Sequence, residues 1–198
     1  MSSLTKATKL DTAVLLVIFN RPETTKKVFD AIRIAQPSRL YIAADGPRKD
    51  KPEDDEKCEQ ARKIVANVDW DCEVKKKFSK ENLNCGVGPS TAFTWFFQHE
   101  KEGIILEDDC LPTQSFFWFC QELLERYRDD YRVMHIGGNN HLQGWQRDPD
   151  YSYYFSHSGH IWGWATWRRA WEMYDYKLGI YEKLKKKKYF QNFFSNPF

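Results

Sequence analysis

The 198-residue sequence has no C-x-x-C pair among its five cysteines, Cys58, Cys72, Cys85, Cys110 and Cys120. That argues against a zinc or redox motif, and the odd count fits reduced thiols in a reducing compartment. The first ten residues, M-S-S-L-T-K-A-T-K-L, contain no apolar stretch, so the beginning does not read as a cleaved signal peptide. No run approaches the roughly 18 apolar residues of a spanning helix. Charge is not biased either: 30 Lys and Arg stand against 28 Asp and Glu, a formal +2 that gives no reason to expect nucleic acid as a partner. No internal repeat is visible. These absences lead us to expect a soluble, cytoplasmic protein of one domain, large enough for a sizeable core.

What is abundant is aromatic. Phe, Trp and Tyr make up 16% of the chain, and most of the eight tryptophans follow Phe93. They are a bulky core, or some of them form a platform for a sugar or a base, since Trp and Tyr rings are apolar with one polar edge.

The most informative stretch is Gly103 to Cys110, G-I-I-L-E-D-D-C. Ile104, Ile105 and Leu106 fit a strand buried on both faces, as in a parallel sheet. It runs directly into Glu107, Asp108 and Asp109. Three adjacent carboxylates repel one another, and burying them unpaired costs several kcal/mol, of order ~3–5. A divalent cation with hard oxygen ligands, Mg²⁺ or Mn²⁺, removes that penalty. The plain alternative is an acidic, solvated exit from a strand.

The rest of the chain alternates strands and helices. Ala13 to Phe19 is an unbroken apolar run followed by Asn20, Arg21 and Pro22, with Pro22 placed to start a helix. Val28, Ala31, Ile32 and Ala35 recur at helical spacing up to Pro37. Arg39 to Ala44 is a second strand ending at an Asp45-Gly46-Pro47 turn. Glu53, Asp54 and Asp55 open a helix that buries Cys58, Ala61, Val65 and Val68. Asp71 to Phe78 alternates Cys72, Val74 and Phe78 with charges, a strand with one wet face. Asn82 to Pro89 reads as a glycine-containing loop, with Ser90 capping an aromatic helix to about Glu100. A strong amphipathic helix spans 115–128. Two further strands are expected at 132–138 and 151–156, and a Trp-rich segment from His160 to Trp171 leads into a short helix. The alternation predicts an α/β protein with a mixed central sheet flanked by helices. After Gly138 it loosens, which suits antiparallel strands and long loops.

The ends read differently. Residues 1–12 look like a polar, poorly ordered lead-in. The tail, 181–198, carries Lys185 to Lys188 among Tyr and Phe. That is a solvated helix face, or a basic and aromatic surface for peripheral contact with an anionic inner membrane. The ending at Asn196-Pro197-Phe198 is consistent with a piece of a longer protein.

Taken in order, these motifs resemble the GT-A class of nucleotide-sugar glycosyltransferases, over roughly residues 13–175. F-N-R-P resembles the nucleotide-entry strand end of the inverting enzymes, and Y-I-A-A-D-G-P their second strand with its terminal Asp. N-L-N-C-G is similar to the N-x-G loop before the next helix. I-I-L-E-D-D-C resembles the metal-binding acidic motif in the E-D-D form of the N-acetylglucosaminyltransferase branch. H-I-W-G-W-A-T-W-R-R-A-W is similar to an acceptor-side segment of bacterial family 2-like transferases. The resemblance implies a Rossmann-like catalytic domain over 13–180, a UDP-sugar donor, a glycan or glycoconjugate acceptor, and Mn²⁺ or Mg²⁺ as cofactor.

It also assigns residues. Asp109 is implied as the direct metal ligand, with Glu107 and Asp108 holding ribose or metal-bound water. Asp45 accepts from a uracil N–H or a ribose hydroxyl, or is simply a turn residue. Arg21 reaches the diphosphate or a base edge with a forked guanidinium, with Asn20 beside it, or is exposed before Pro22. Asn84 and Gly86 let the backbone approach the nucleotide, or form a plain loop. An inverting transfer needs a base for the acceptor hydroxyl. The later half offers Asp148, Asp150, Glu172 and Asp175, whereas Gly137-Gly138-Asn139-Asn140 has asparagine, which cannot act as a base. Glu172, after the Trp cluster, is the expected base; His160 is a base, a late metal ligand or a structural histidine. Trp162 and Trp164 stack on the acceptor sugar or pack the core.

Two other readings compete. A sugar nucleotidyltransferase usually shows a Gly-rich loop after its first strand, and F-N-R-P-E has no glycine to cradle a triphosphate. A carbohydrate- or nucleotide-binding domain that kept the fold without turnover is the non-enzymatic alternative.

Overall fold

The computed structural model describes residues 9–140, 148 and 150–187. Six strands form one sheet in the order β3-β2-β1-β4-β6-β5. Four are parallel: β1 (Val14–Ile18), β2 (Arg39–Ala44), β3 (Glu73–Phe78) and β4 (Glu102–Glu107). β5 (Ile136–Gly137) and β6 (Trp164–Trp167) complete the sheet, with β6 antiparallel to both β4 and β5. Helices α1 (Pro22–Ala35), α2 (Glu53–Ile64), α3 (Asn84–His99) and α4 (Gln114–Arg126) cover the two faces; α5 (Arg168–Trp171) and α6 (Tyr181–Lys186) are short. This is the mixed, Rossmann-like α/β architecture that the sequence implies.

The apolar strands are continuous because both of their faces are covered. Val14, Leu16 and Ile18 of β1, with Leu40, Ile42, Ile104 and Leu106, pack with Val28, Ile32, Ala61, Phe117 and Leu124 of the helices. The alternate residues Leu15, Tyr41, Ala43 and Ile105 form a second core with Phe93, Phe96 and Phe97 of α3. Pro22 begins α1 as expected, and left-handed Gln36 ends it by donating its N–H to the Ile32 carbonyl at 3.0 Å.

Several expectations are corrected. The lead-in is not polar throughout: Leu10 is fully buried and bridges to Pro37, and the Asp11 and Thr12 N–H groups donate to Gln121 Oε1. Residues 1–8 lie outside the described residues, as do 188–198 of the tail. α3 starts at Asn84, not after Ser90, so the two glycines and Pro89 are helical; the Ser90 hydroxyl donates to the Val87 carbonyl and caps nothing. Phe78 does not join the core. It lies on the edge strand, 39% exposed, under the Arg62 guanidinium at 5.2 Å. The expected strand at 132–138 shrinks to β5, and 151–156 forms no strand. The missing pairing is supplied by β6, inside the Trp-rich segment, with Trp164 and Trp167 both buried.

Candidate functional site

The pairing of β1 with β4 sets the site. Val17 is opposite Glu107, so Phe19 to Arg21 leaves the sheet beside Asp108 and Asp109. Asp45 joins the same carboxyl edge, its N–H donating to the Ile18 carbonyl at 3.1 Å. That edge is where open α/β sheets bind ligands.

Asp108 is 3% exposed and fully committed. Its Oδ2 accepts the Phe19 N–H at 2.8 Å and its Oδ1 accepts from Arg21 Nη1 at 2.9 Å. The same Arg21 nitrogen donates to Asp109 Oδ2 at 2.7 Å. The repulsion expected of three adjacent carboxylates is thus relieved, at least between the two aspartates, by a guanidinium from β1. Burial, then the neighbouring aspartates, raises the Glu107 pKa; burial raises that of Asp108 despite Phe19 and Arg21. Burial works against the Arg21 charge, but Asp108 and Asp109 outweigh it and hold that pKa up.

Among the described residues, no three His, Cys, Asp or Glu side chains are gathered to hold a metal ion. A preformed protein cage is not what Mg²⁺ or Mn²⁺ needs in a nucleotide site, where one or two carboxylates act with phosphate oxygens and water. Asp109 suits that role: its side chain is about half exposed, at 48%, with Arg21 on Oδ2 and only the weak thiol donor of Cys110, at 3.6 Å, on Oδ1. Asp108 does not, since it is buried with a backbone N–H on one oxygen and the guanidinium on the other.

Asn20 and Asp45 are engaged with the protein. Asn20 Nδ2 donates to Asp54 Oδ1 at 2.6 Å. Asp54, fully buried in the first turn of α2, also accepts from Arg48 Nε at 2.6 Å and Nη2 at 3.1 Å, which holds its pKa well below the usual carboxylate range. Asp45 accepts the Gly46 N–H at 2.8 Å, the Leu83 N–H at 2.9 Å and Asn82 Nδ2 at 3.0 Å. It therefore ties the 79–83 loop and the start of α3 to the end of β2. Asn84 is exposed and left-handed, with φ of 66°. At Gly86 a Cβ would lie 2.5 Å from the Tyr176 hydroxyl, so the close approach there is made by the protein itself.

The antiparallel β6 divides the later candidates. Gly163 and Trp164 are at the acidic end of β4 and Trp167 at the other, because Trp164 pairs with Ile105 and Trp167 with Glu102. His160 and Trp162 thus precede β6 on the acidic side, stacked at 6.0 Å, with Trp162 56% exposed. The His160 carbonyl accepts from His135 Nε2 at 3.1 Å, so that nitrogen carries the proton. Burial lowers the His135 pKa. Trp164 is a correction: it is 5% exposed, edge-on to Phe93 at 5.5 Å and stacked with His135 at 5.1 Å, with no open face for an acceptor. Glu172 is another. It lies one helical turn past Arg168, whose N–H donates to the Lys101 carbonyl at 2.7 Å, just before β4 begins. About 20 Å of strand separates that point from Asp108, and the adjacent Trp171 packs on Phe93 and Phe97 of α3, so no contact among the described residues joins Glu172 to the acid cluster.

Sequence reasoning missed the Asn20–Arg48–Asp54 knot, because nothing distinguishes Asp54 from its acidic neighbours except the burial of one helix face. It also missed His135. A cavity of ≈ 340 Å³ lies along α3 between Lys77, Trp95, Gln98 and Tyr176, and no acid-cluster residue lines it.

No family model matches the chain, and no curated protein matches it. Among solved structures, it is similar to 4-diphosphocytidyl-2C-methyl-D-erythritol synthase from Anaerococcus prevotii. Identity is 9% and the TM-score 0.49, over 92% of this chain and 84% of that one. Nothing about this chain's chemistry follows from that likeness. No helix among the described residues is long and apolar enough to cross a membrane.

Proposed function

We propose that this protein is a glycosyltransferase that moves a sugar from a UDP-sugar to a glycan or glycoconjugate acceptor, with inversion and with Mn²⁺ or Mg²⁺ as cofactor. One observation carries the reading: Arg21, Asp108 and Asp109 converge where the central strands β1 and β4 end. Departure of a nucleoside diphosphate develops negative charge, and groups already fixed at that point stabilise it without reorganising. A divalent ion on Asp109, when bound, supplies Lewis-acid stabilisation of the phosphates. Arg21 presents its forked donors to the diphosphate, and Asp108 orients it from beneath. Glu107 borders the same edge. His160, on the acidic side, is the candidate base that best suits the site, beside the partly exposed Trp162 for the acceptor.

That no contact among the described residues joins Glu172 to the acid cluster favours a second reading, nucleotide binding without turnover. Hydrolysis or transfer from UDP-sugars, with Asp109→Ala as control, separates the two. Turnover that disappears in the variant supports the transferase; metal-dependent UDP binding without turnover supports the binding domain. Peripheral membrane contact through the lysine run Lys185 to Lys188 is part of the same proposal and is tested by flotation with anionic against neutral vesicles.

A further inference from the structure

Arg21 meets the two aspartates in different ways. Its partner Asp108 is buried and also bound to the Phe19 backbone, so that contact is an anchor. Its partner Asp109 is half exposed, and besides Arg21 its carboxylate meets only the weak Cys110 thiol donor, on Oδ1 at 3.6 Å, among the described residues, so that contact is open to exchange. Both bonds use Nη1. A guanidinium has about five N–H donors, which leaves the Nε–H and both Nη2 hydrogens without a hydrogen bond to the protein among the described residues. The backbone of Arg21 is fixed, since its carbonyl accepts the Thr25 N–H at 2.9 Å in the first turn of α1. Only the side chain has freedom to move.

We propose that Arg21 is an exchangeable counter-ion: anchored on Asp108, it holds Asp109 until ligand arrives, then passes from Asp109 to the diphosphate while the metal takes its place. This rests on the reading of Asp109 as the metal's ligand and adds a consequence to it. In the absence of metal, Asp109 competes with the phosphates for Arg21. The same carboxylate therefore opposes nucleotide binding without metal and promotes it with metal, and the two ligands bind as a linked pair.

The test is a double-substitution cycle on UDP affinity, measured by calorimetry in EDTA-treated buffer and again with Mn²⁺. Without metal, Asp109→Asn is expected to tighten UDP binding about threefold to fivefold, the range of a half-exposed ion pair. In an Arg21→Gln background that gain is expected to shrink to what relief of the repulsion between carboxylate and diphosphate gives alone. A gain as large without Arg21 as with it, or no gain at all, overturns the exchange. With Mn²⁺, Asp109→Asn is expected to weaken UDP binding; if it does not, the metal assignment fails, which is a separate result. Asp109→Ser, smaller but likewise polar and uncharged at this half-exposed position, must behave as Asp109→Asn does.

Discussion

Replacing Asp108 with alanine removes a buried acceptor and leaves the Phe19 N–H without its 2.8 Å partner. An orphaned, partly buried donor costs about 1–3 kcal/mol. Arg21 is 53% exposed on its side chain and rehydrates, so its share is small, about 0–1 kcal/mol. Relief of the carboxylate's own desolvation offsets part of both. The net expectation is a loss of about 2 kcal/mol, and for a domain of this size each kcal/mol is worth about 2–4 °C in Tm. Asp108→Asn keeps an oxygen for Phe19 and is expected to cost less than about 1 kcal/mol, while releasing Arg21 and weakening UDP binding. Urea unfolding with an unchanged m-value, together with UDP titration, checks both variants. If Asp108→Ala is as stable as the wild type, or Asp108→Asn is as damaging as alanine, the anchoring role is wrong.

Further expectations follow from other contacts. Asp54→Asn is expected to cost about 1.5–3 kcal/mol near neutral pH through its weakened bonds to Arg48 and Asn20. Because the folded-state pKa is depressed, that contribution is present above the unfolded value of about 3.9 and is lost as pH falls below it. The stability gap between wild type and variant should therefore narrow as pH falls below about 5 and go on narrowing until the depressed folded-state value is passed, and a gap independent of pH would contradict the pairing. Gly103→Ala drives a Cβ into the Phe96 ring and to 2.9 Å from the Ala13 carbonyl oxygen, so overpacking should lower stability by about 1–3 kcal/mol, read by thermal unfolding.

The parallel half of the sheet was legible because strands covered on both faces are written as unbroken apolar runs, and β2 begins and ends at the expected residues. The acid cluster was legible for the same reason: it ends such a run. The start of α3 was not, since glycine and proline argue for a loop, and what overrides them is distant, the Asp45 carboxylate gripping Leu83 and Asn82. β6 was hidden because Trp-Ala-Thr-Trp is buried on both faces and carries no polar alternation. Antiparallel strands were expected after Gly138, but without β6 itself the end of the sheet that receives Glu172 could not be read, as the direction of one strand decides where everything after it goes. That Arg21 would neutralise the aspartates needed the β1–β4 register, which no local pattern contains.

The most direct measurement is the anomalous diffraction of Mn²⁺ in crystals soaked with UDP. The account predicts a manganese peak bonded to an Asp109 carboxylate oxygen and to the diphosphate, with Arg21 turned from Asp109 onto a phosphate oxygen. A manganese ion or diphosphate bound away from the ends of β1 and β4 would contradict it.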